Sequence, residues 1–220
     1  MTDDAQTWVL IHSERSAMAD TLGTLTTAQW AEPSLCAGWT VKLAAAHILA
    51  GAEQTTGSFL TGMAGTGFRF NTLMDRRAHV LGELGTAEIV DRIRARTTTT
   101  NHPPAPVMAM LGEIVVHGED IRRPLGLSGT VDPRAVTACL EMYKSATFPV
   151  GGRKRMQGLR LTAADVDWSH GEGPEVSGSG TSLLLAMTGR AVSAGDLTGD
   201  GAPVLESRTG TRRGGSPVSS

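Results

Sequence analysis

A chain of 220 residues with 40% hydrophobic and 19% charged side chains is long enough to bury a core and too apolar to stay disordered. Its formal charge of −2, without an extended Lys/Arg run, argues against a nucleic-acid partner, and no stretch reaches the ~18 apolar residues of a membrane span. Acids stand near the N-terminus where a signal peptide needs bases, so a cytoplasmic protein is expected, and with aromatics at 4% Ala, Leu, Val and Met must fill the core.

In chain order, Trp8, Ile11, Arg15, Met18, Leu22 and Leu25 recur at steps of three and four, which predicts a bundle helix over 7–25. Pro33 and Gly38 break the pattern, and Thr40 is placed to cap a second helix through VKLAAAHILAGAEQ. The stretch GSFLTGMAGTGFRFN contains a GxxGxG spacing, but no strand precedes it as a nucleotide fold requires, so a loop is expected. Leu73, Leu81, Leu84, Ile89 and Ile93 then predict a third helix over 72–95, ended by TTTTNHPPAP. A fourth helix, 106–122, stops before Pro124, with Arg122 and Arg123 in its last turn where cations complement the dipole. Asp132 and Pro133 open a fifth, with Val136, Leu140 and Tyr143 on one side.

After about residue 151 the texture changes. GLRLTAADVDWSHG and PEVSG read as strands, and TSLLLAMTGRAV as an apolar helix capped by Thr181 or Ser182. The expected organisation is a helical bundle over 1–150, a small α+β unit over 151–206, and a disordered tail over 207–220.

The chemistry lies in GEIVVHGEDIRRPLG. On a helix Glu113 and His117, four residues apart, face the same way, and His47 lies on a face of the second helix that a bundle turns inward. If those two helices are neighbours, two imidazoles and one carboxylate meet, a donor set suited to a divalent metal such as zinc with a coordination position left open. Spacing alone leaves the alternative standing: a core histidine bonded to backbone beside a surface glutamate. A carboxylate flanked by ML and IVV favours the metal, because burial without a cation or a hydrogen-bonding partner is costly. Asp120 is either a carboxylate orienting His117 or a solvated acid, and Glu119 is expected exposed. Cys36 and Cys139 read as small buried hydrophobes, and Trp30, Trp39 and Trp168 as packing residues.

The segments LTTAQWAEPSLCAGWTVKLAAAHILA and GEIVVHGEDIRRPLG, with GLRLTAADVDWSHGEGPEV and LLLAMTGR, resemble the maleylpyruvate isomerase family of mycothiol-dependent metalloenzymes, within the DinB-like superfamily. That resemblance runs over nearly the whole chain. It implies a mainly α fold, a DinB-like four-helix bundle with a small C-terminal α+β unit, and a divalent metal, usually zinc, held by His47, Glu113 and His117. It also implies mycothiol as thiol cosubstrate, a small-molecule electrophile as its partner, and a substrate-handling role for Arg190. Leu43 stands where many relatives carry an acid in the first turn of the second helix. Isomerisation and thiol S-transfer both fit such a site. A metal-stabilised binding protein without catalysis, and a metal-dependent hydrolase, are the alternatives.

Overall fold

Helix α1 (Asp4–Gly23) buries Ile11, Arg15, Met18 and Leu22, which lie on the face read from the three-and-four spacing, together with Thr7, Leu10, Glu14 and Ala19. It opens a computed structural model that describes residues 3–127, 129–147 and 150–210. The chain divides into two compact units, residues 1–138 and 139–220.

In the first unit a short α2 (Thr27–Ala31) precedes α3 (Val41–Ala52). Sequence spacing missed α2, which is held by a local capping box: Thr26 accepts from the Gln29 amide, and the Gln29 side chain accepts from the Thr26 amide. The Thr40 hydroxyl accepts from the Leu43 amide at 3.3 Å, so α3 starts at its expected cap. Val41, Ala44, Ala45, Ala46, Leu49 and Ala52 are buried, and this run of small residues leaves room for neighbouring helices.

The glycine-rich stretch expected to be a loop is instead α4 (Thr56–Gly65). Thr55 and Ser58 form a capping box at its start, and Gly62 admits Leu73, whose Cδ1 would lie 2.6 Å from an added Cβ. Local capping and close packing thus outweigh the glycines' low helix propensity. A left-handed turn at Gly67 and Phe68, both with φ of 60°, ends this segment. The long third helix expected over 72–95 is two helices, α5 (Phe70–Gly82) and α6 (Thr86–Arg94), separated at Glu83–Gly85. Both halves carry the apolar period, which is why the pattern read as continuous.

Helix α7 (Val107–Arg122) follows the proline-rich connector, and α8 (Pro133–Tyr143) begins where Asp132 Oδ1 accepts from the Arg134 amide at 2.8 Å. In the first unit α1 and α3 each pack against both α6 and α7, making a four-helix core, and α5 lies along α3. Helices α3 and α7 are therefore neighbours, as the shared site requires.

The second unit holds a four-stranded sheet in the order β2-β1-β3-β4, built from β1 (Arg160–Ala163), β2 (Ser169–His170), β3 (Glu175–Gly178) and β4 (Leu197–Thr198). Strand β1 is antiparallel to β2 and parallel to β3, pairing Leu161 with Val176, both fully buried. Helix α10 (Gly180–Met187) packs on β1 and β3, with α9 (Gly152–Met156) beside it and α11 (Ala202–Ser207) against β3. The cap of α10 is Ser179, whose hydroxyl accepts from the Ser182 amide, rather than Thr181 or Ser182. The expected tail begins too early: Ser207 belongs to α11, and the Arg208 guanidinium donates to the carbonyls of Arg155 and Gln157. Residues 211–220 of that tail lie outside the described residues.

Candidate metal centre of the helical unit

Position 47 falls in the second half of α3 and positions 113 and 117 one turn apart on α7, so packing of these two helices sets the three side chains face to face. His47 Nε2 lies 2.9 Å from Glu113 Oε2, and His117 Nε2 lies 3.4 Å from the same oxygen. The imidazole rings meet edge to face with centroids 4.5 Å apart. One ligand atom from each of the three residues lies within 4.8 Å of the other two, close enough to bind a common ion. Two imidazole nitrogens and a carboxylate oxygen are the donor types that hold zinc, iron or nickel.

Trp39 covers the pair, its ring 5.1 Å from the His47 ring and 6.4 Å from that of His117. His47 is 7% exposed. Glu113 is not buried as the flanking apolar residues suggest: 42% of its side chain stays accessible, so the carboxylate opens onto a cleft. That cleft is small, about 20 Å³, and its polar lining is Arg15, His47 and Glu113.

Asp120 is fully buried, and its Oδ2 accepts from His117 Nδ1 at 2.8 Å. This contact fixes the ring, turning Nε2 toward Glu113 and His47. Cys36, read from sequence as a small buried hydrophobe, is half-buried and polar in its contacts: its thiol donates to the same Asp120 oxygen at 3.1 Å and sits 3.6 Å from His117 Nδ1. Cys36, His117 and Asp120 form a second group with metal-ligand geometry, sharing His117 with the first. Only the chain turn at residues 34–39 brings Cys36 there; it is fixed by Leu35 N donating to the Asp120 carbonyl at 3.0 Å and Ser34 N to Trp39 at 2.9 Å. No spacing in the sequence announces such a contact. Cys139 is buried, as expected.

Glu119, expected to be exposed, is only 7% exposed and accepts from Arg122 Nη1 at 2.9 Å and Arg123 Nε at 3.1 Å. Glu14 of α1 lies 4.0 Å from Arg122 Nη2 and accepts from the Asp132 amide at 2.9 Å. Arg122 thus ties the end of α7 to Glu14 of α1. Removing either partner leaves a buried charge uncompensated.

Electrostatics inside the donor set pull the groups apart. Desolvation by the surrounding protein pushes the half-exposed Glu113 carboxyl up, but hydrogen bonds from His117 and His47 together with their charges outweigh it and hold the group well below the usual carboxylate range. For His117 burial acts downward, yet the Cys36 sulfur, Asp120 and Glu113 hold the imidazole well above its ordinary value. In the absence of a cation, then, a proton on His117 supplies the positive charge that this carboxylate cluster calls for.

Residues 11–102 match the family model described as the mycothiol maleylpyruvate isomerase N-terminal domain. That match covers 92 of the 220 residues, all of them in the helical unit. The matched residues include His47 and stop short of Glu113 and His117. Two solved structures, a mycothiol-dependent maleylpyruvate isomerase and a histidine-to-alanine mutant of it, are similar with a TM-score of 0.60 over 90% of this chain and 93% of theirs, at 17% and 16% identity. Likeness at that identity concerns the fold, a helical bundle followed by a small α+β unit. No curated protein matched the chain.

Arg190 belongs to the second unit. It lies just past α10, half-buried, with Nη1 donating to the Thr188 carbonyl at 3.2 Å, beyond a left-handed Gly189 that ends the helix. It therefore follows the helix instead of ending it.

Proposed function

We propose that the chain is a mycothiol-dependent enzyme of the isomerase type, in which a divalent cation held by His47, Glu113 and His117 serves a thiol reaction. The observation that carries this reading is the convergence of both Nε2 atoms on one Glu113 oxygen, 2.9 and 3.4 Å away, beside a cleft open to solvent. The similar solved proteins are mycothiol-dependent maleylpyruvate isomerases. When bound, the cation would favour the thiolate form of a thiol cosubstrate and so make it a nucleophile toward an activated double bond.

The chain's own residues have defined tasks. Asp120 keeps the His117 proton on Nδ1, so that Nε2 is presented to the ion. Trp39 excludes water from one side of both imidazoles. Glu113 supplies the charge that a divalent ion needs while leaving its outer side open. Among the described residues, His47, Glu113 and His117 form a group without a fourth His, Cys, Asp or Glu, which leaves room for a reactant and favours catalysis over a structural site. The substrate-handling role of Arg190 rests on the resemblance and is tested by turnover of Arg190→Met at unchanged metal content.

The deciding experiment assays a panel of cis-alkene electrophiles with mycothiol, with glutathione, and after chelation. Turnover that needs mycothiol and is abolished by chelation is expected. Equal turnover with either thiol, or turnover indifferent to chelation, defeats the reading. Purified His47→Ala is expected to carry less than about a tenth of the wild-type metal, since removing a direct ligand costs more than the ~10–100-fold lost with a supporting one.

A further inference from the structure

The two nitrogens of His117 look onto two different donor sets. Nε2 meets Glu113 and His47, the outer set, whereas Nδ1 lies 2.8 Å from Asp120 Oδ2 and 3.6 Å from Cys36 Sγ, with the sulfur 3.1 Å from the same oxygen. One ligand atom from each of Cys36, His117 and Asp120 thus lies within 4.8 Å of the other two, the spacing of an inner set. Around a tetrahedral ion with bonds of ~2.0–2.3 Å, neighbouring nitrogen, oxygen and sulfur donors stand ~3.3–3.5 Å apart, and little more around a larger ion, so the three need to part by only about half an ångström.

Backbone holds this inner set together. Residues 32–41 fold back on themselves, with Val41 N donating to the Glu32 carbonyl at 2.8 Å and Ser34 N to that of Trp39 at 2.9 Å, and a left-handed Gly38, φ 83°, completes the turn. Leu35 N, donating to the Asp120 carbonyl at 3.0 Å, pins the turn to α7 next to Cys36. Asp120 is fully buried, while Cys36 and His117 are half-buried and give the set its access to solvent. A thiol is a weak hydrogen-bond donor, and a serine there would bind Asp120 more strongly; what sulfur adds is affinity for soft cations.

We propose that Cys36 Sγ, His117 Nδ1 and Asp120 Oδ2 form a second cation site, selective for a soft divalent ion such as cadmium, and that filling it draws His117 away from the outer set. A divalent ion between the three donors displaces two hydrogens to solvent, one from Sγ and one from Nδ1, so the charge of the cluster is unchanged. An imidazole bound through Nδ1 carries its remaining hydrogen on Nε2, which then donates to Glu113 and has no lone pair for an ion there. The two sets therefore compete for one ring. Zinc and cobalt favour the outer set, which gives up no thiol hydrogen, and at levels that fill it they leave the inner set to softer ions.

Cadmium chloride is the probe, titrated into the reduced full chain carrying Cys139→Ala, which removes the other thiol, alone and combined with His47→Ala or with His47→Ala and Asp120→Asn. In the His47→Ala chain, thiolate-to-cadmium charge transfer in the ultraviolet should saturate at one ion per chain, and Asp120→Asn should weaken that binding by more than about tenfold. With the outer set intact and preloaded with one equivalent of cobalt, the d–d absorption should fall as the thiolate band grows. Absence of the band at stoichiometric cadmium overturns the proposal. So does a band that needs His47, which would put the sulfur on the outer ion, or an affinity indifferent to Asp120→Asn, which would leave a lone thiol; cobalt absorption that persists as the band saturates overturns the competition for His117. Should Asp120→Asn not fold, the cadmium resonance of the nitrogen-labelled His47→Ala chain is expected to couple to His117 Nδ1, and an uncoupled resonance has the same overturning force. Turnover indifferent to chelation, with the thiolate band intact in His47→Ala, would defeat the proposed function and leave the inner site standing.

Discussion

Asp120 and Cys36 both work through His117, and they can be separated by substitution. Asp120→Asn keeps the size but weakens the acceptor that holds Nδ1–H, and its amide can turn a donor toward the ring, so the tautomer is no longer dictated. Cobalt affinity should fall ~10–100-fold in Asp120→Asn, followed by the d–d absorption of the bound ion. Cys36→Ser retains a hydroxyl donor to Asp120 and should stay near wild type, whereas Cys36→Val loses the donor and should shift the cobalt spectrum; identical spectra for Ser and Val deny the thiol a positioning role. The pH dependence follows from the same cluster. Glu113, held below its ordinary 4.5, stabilises the metal-free fold above that value and ceases to as pH falls through its lowered pKa. His117, held above its ordinary 6.5, stabilises below that value and ceases to as pH rises through its raised pKa. Chelated protein should therefore draw most stability from this pair between about pH 4.5 and 6.5 and lose it on either side, read as melting temperature against a Glu113→Gln reference. Metal binding runs oppositely above pH 6.5, because the ion must displace the His117 proton, so cobalt affinity should rise with pH there.

At the level of elements, legibility in the sequence tracked the range of the interaction. The cap at Thr40, the apolar faces of α1 and α7, and the Asp132–Pro133 start of α8 are set by residues within a turn or two of each other, and each appears where the periodicity puts it. The i,i+4 geometry of Glu113 and His117 is local in the same sense, while His47 joins them through the packing of α3 on α7. What could not be read depends on contacts between distant segments or on backbone detail. Glu119 is buried because Arg122 and Arg123 fold back on it and Glu14 of α1 faces Arg122, a partnership across more than a hundred residues. Cys36 meets Asp120 through the 34–39 turn. Helix α4 was lost because three glycines look like a loop when their packing is unseen, and it offers a sharp comparison. Gly57 has nothing within 4 Å of an added Cβ, so Gly57→Ala should gain roughly 0.5–1 kcal/mol of stability. Gly62→Ala would press on Leu73 Cδ1, 2.6 Å from the new carbon, and should come out about 1 kcal/mol or more below Gly57→Ala in urea unfolding. Equal stabilisation by both would mean that α4 does not lie against Leu73.

For the molecule as a whole, the helical unit pays for its function in stability. Its core holds Glu14, Arg15, His47, Glu119, Asp120 and Arg122 at 7% exposure or less, polar groups in positions that Leu or Met could fill. The Glu14–Arg122–Glu119 set compensates its charges internally, and the His47–Glu113–His117 cluster is the donor set proposed to take a cation. A ligand that binds the folded chain alone stabilises it by RT ln(1 + [L]/Kd), about 2.7 kcal/mol at a hundredfold excess over Kd. Zinc at that excess should accordingly raise the melting temperature of wild type by several degrees, roughly 2–4 °C per kcal/mol for a chain of this length. His47→Ala should abolish that increment, so that zinc no longer raises the melting temperature above that of the chelated variant.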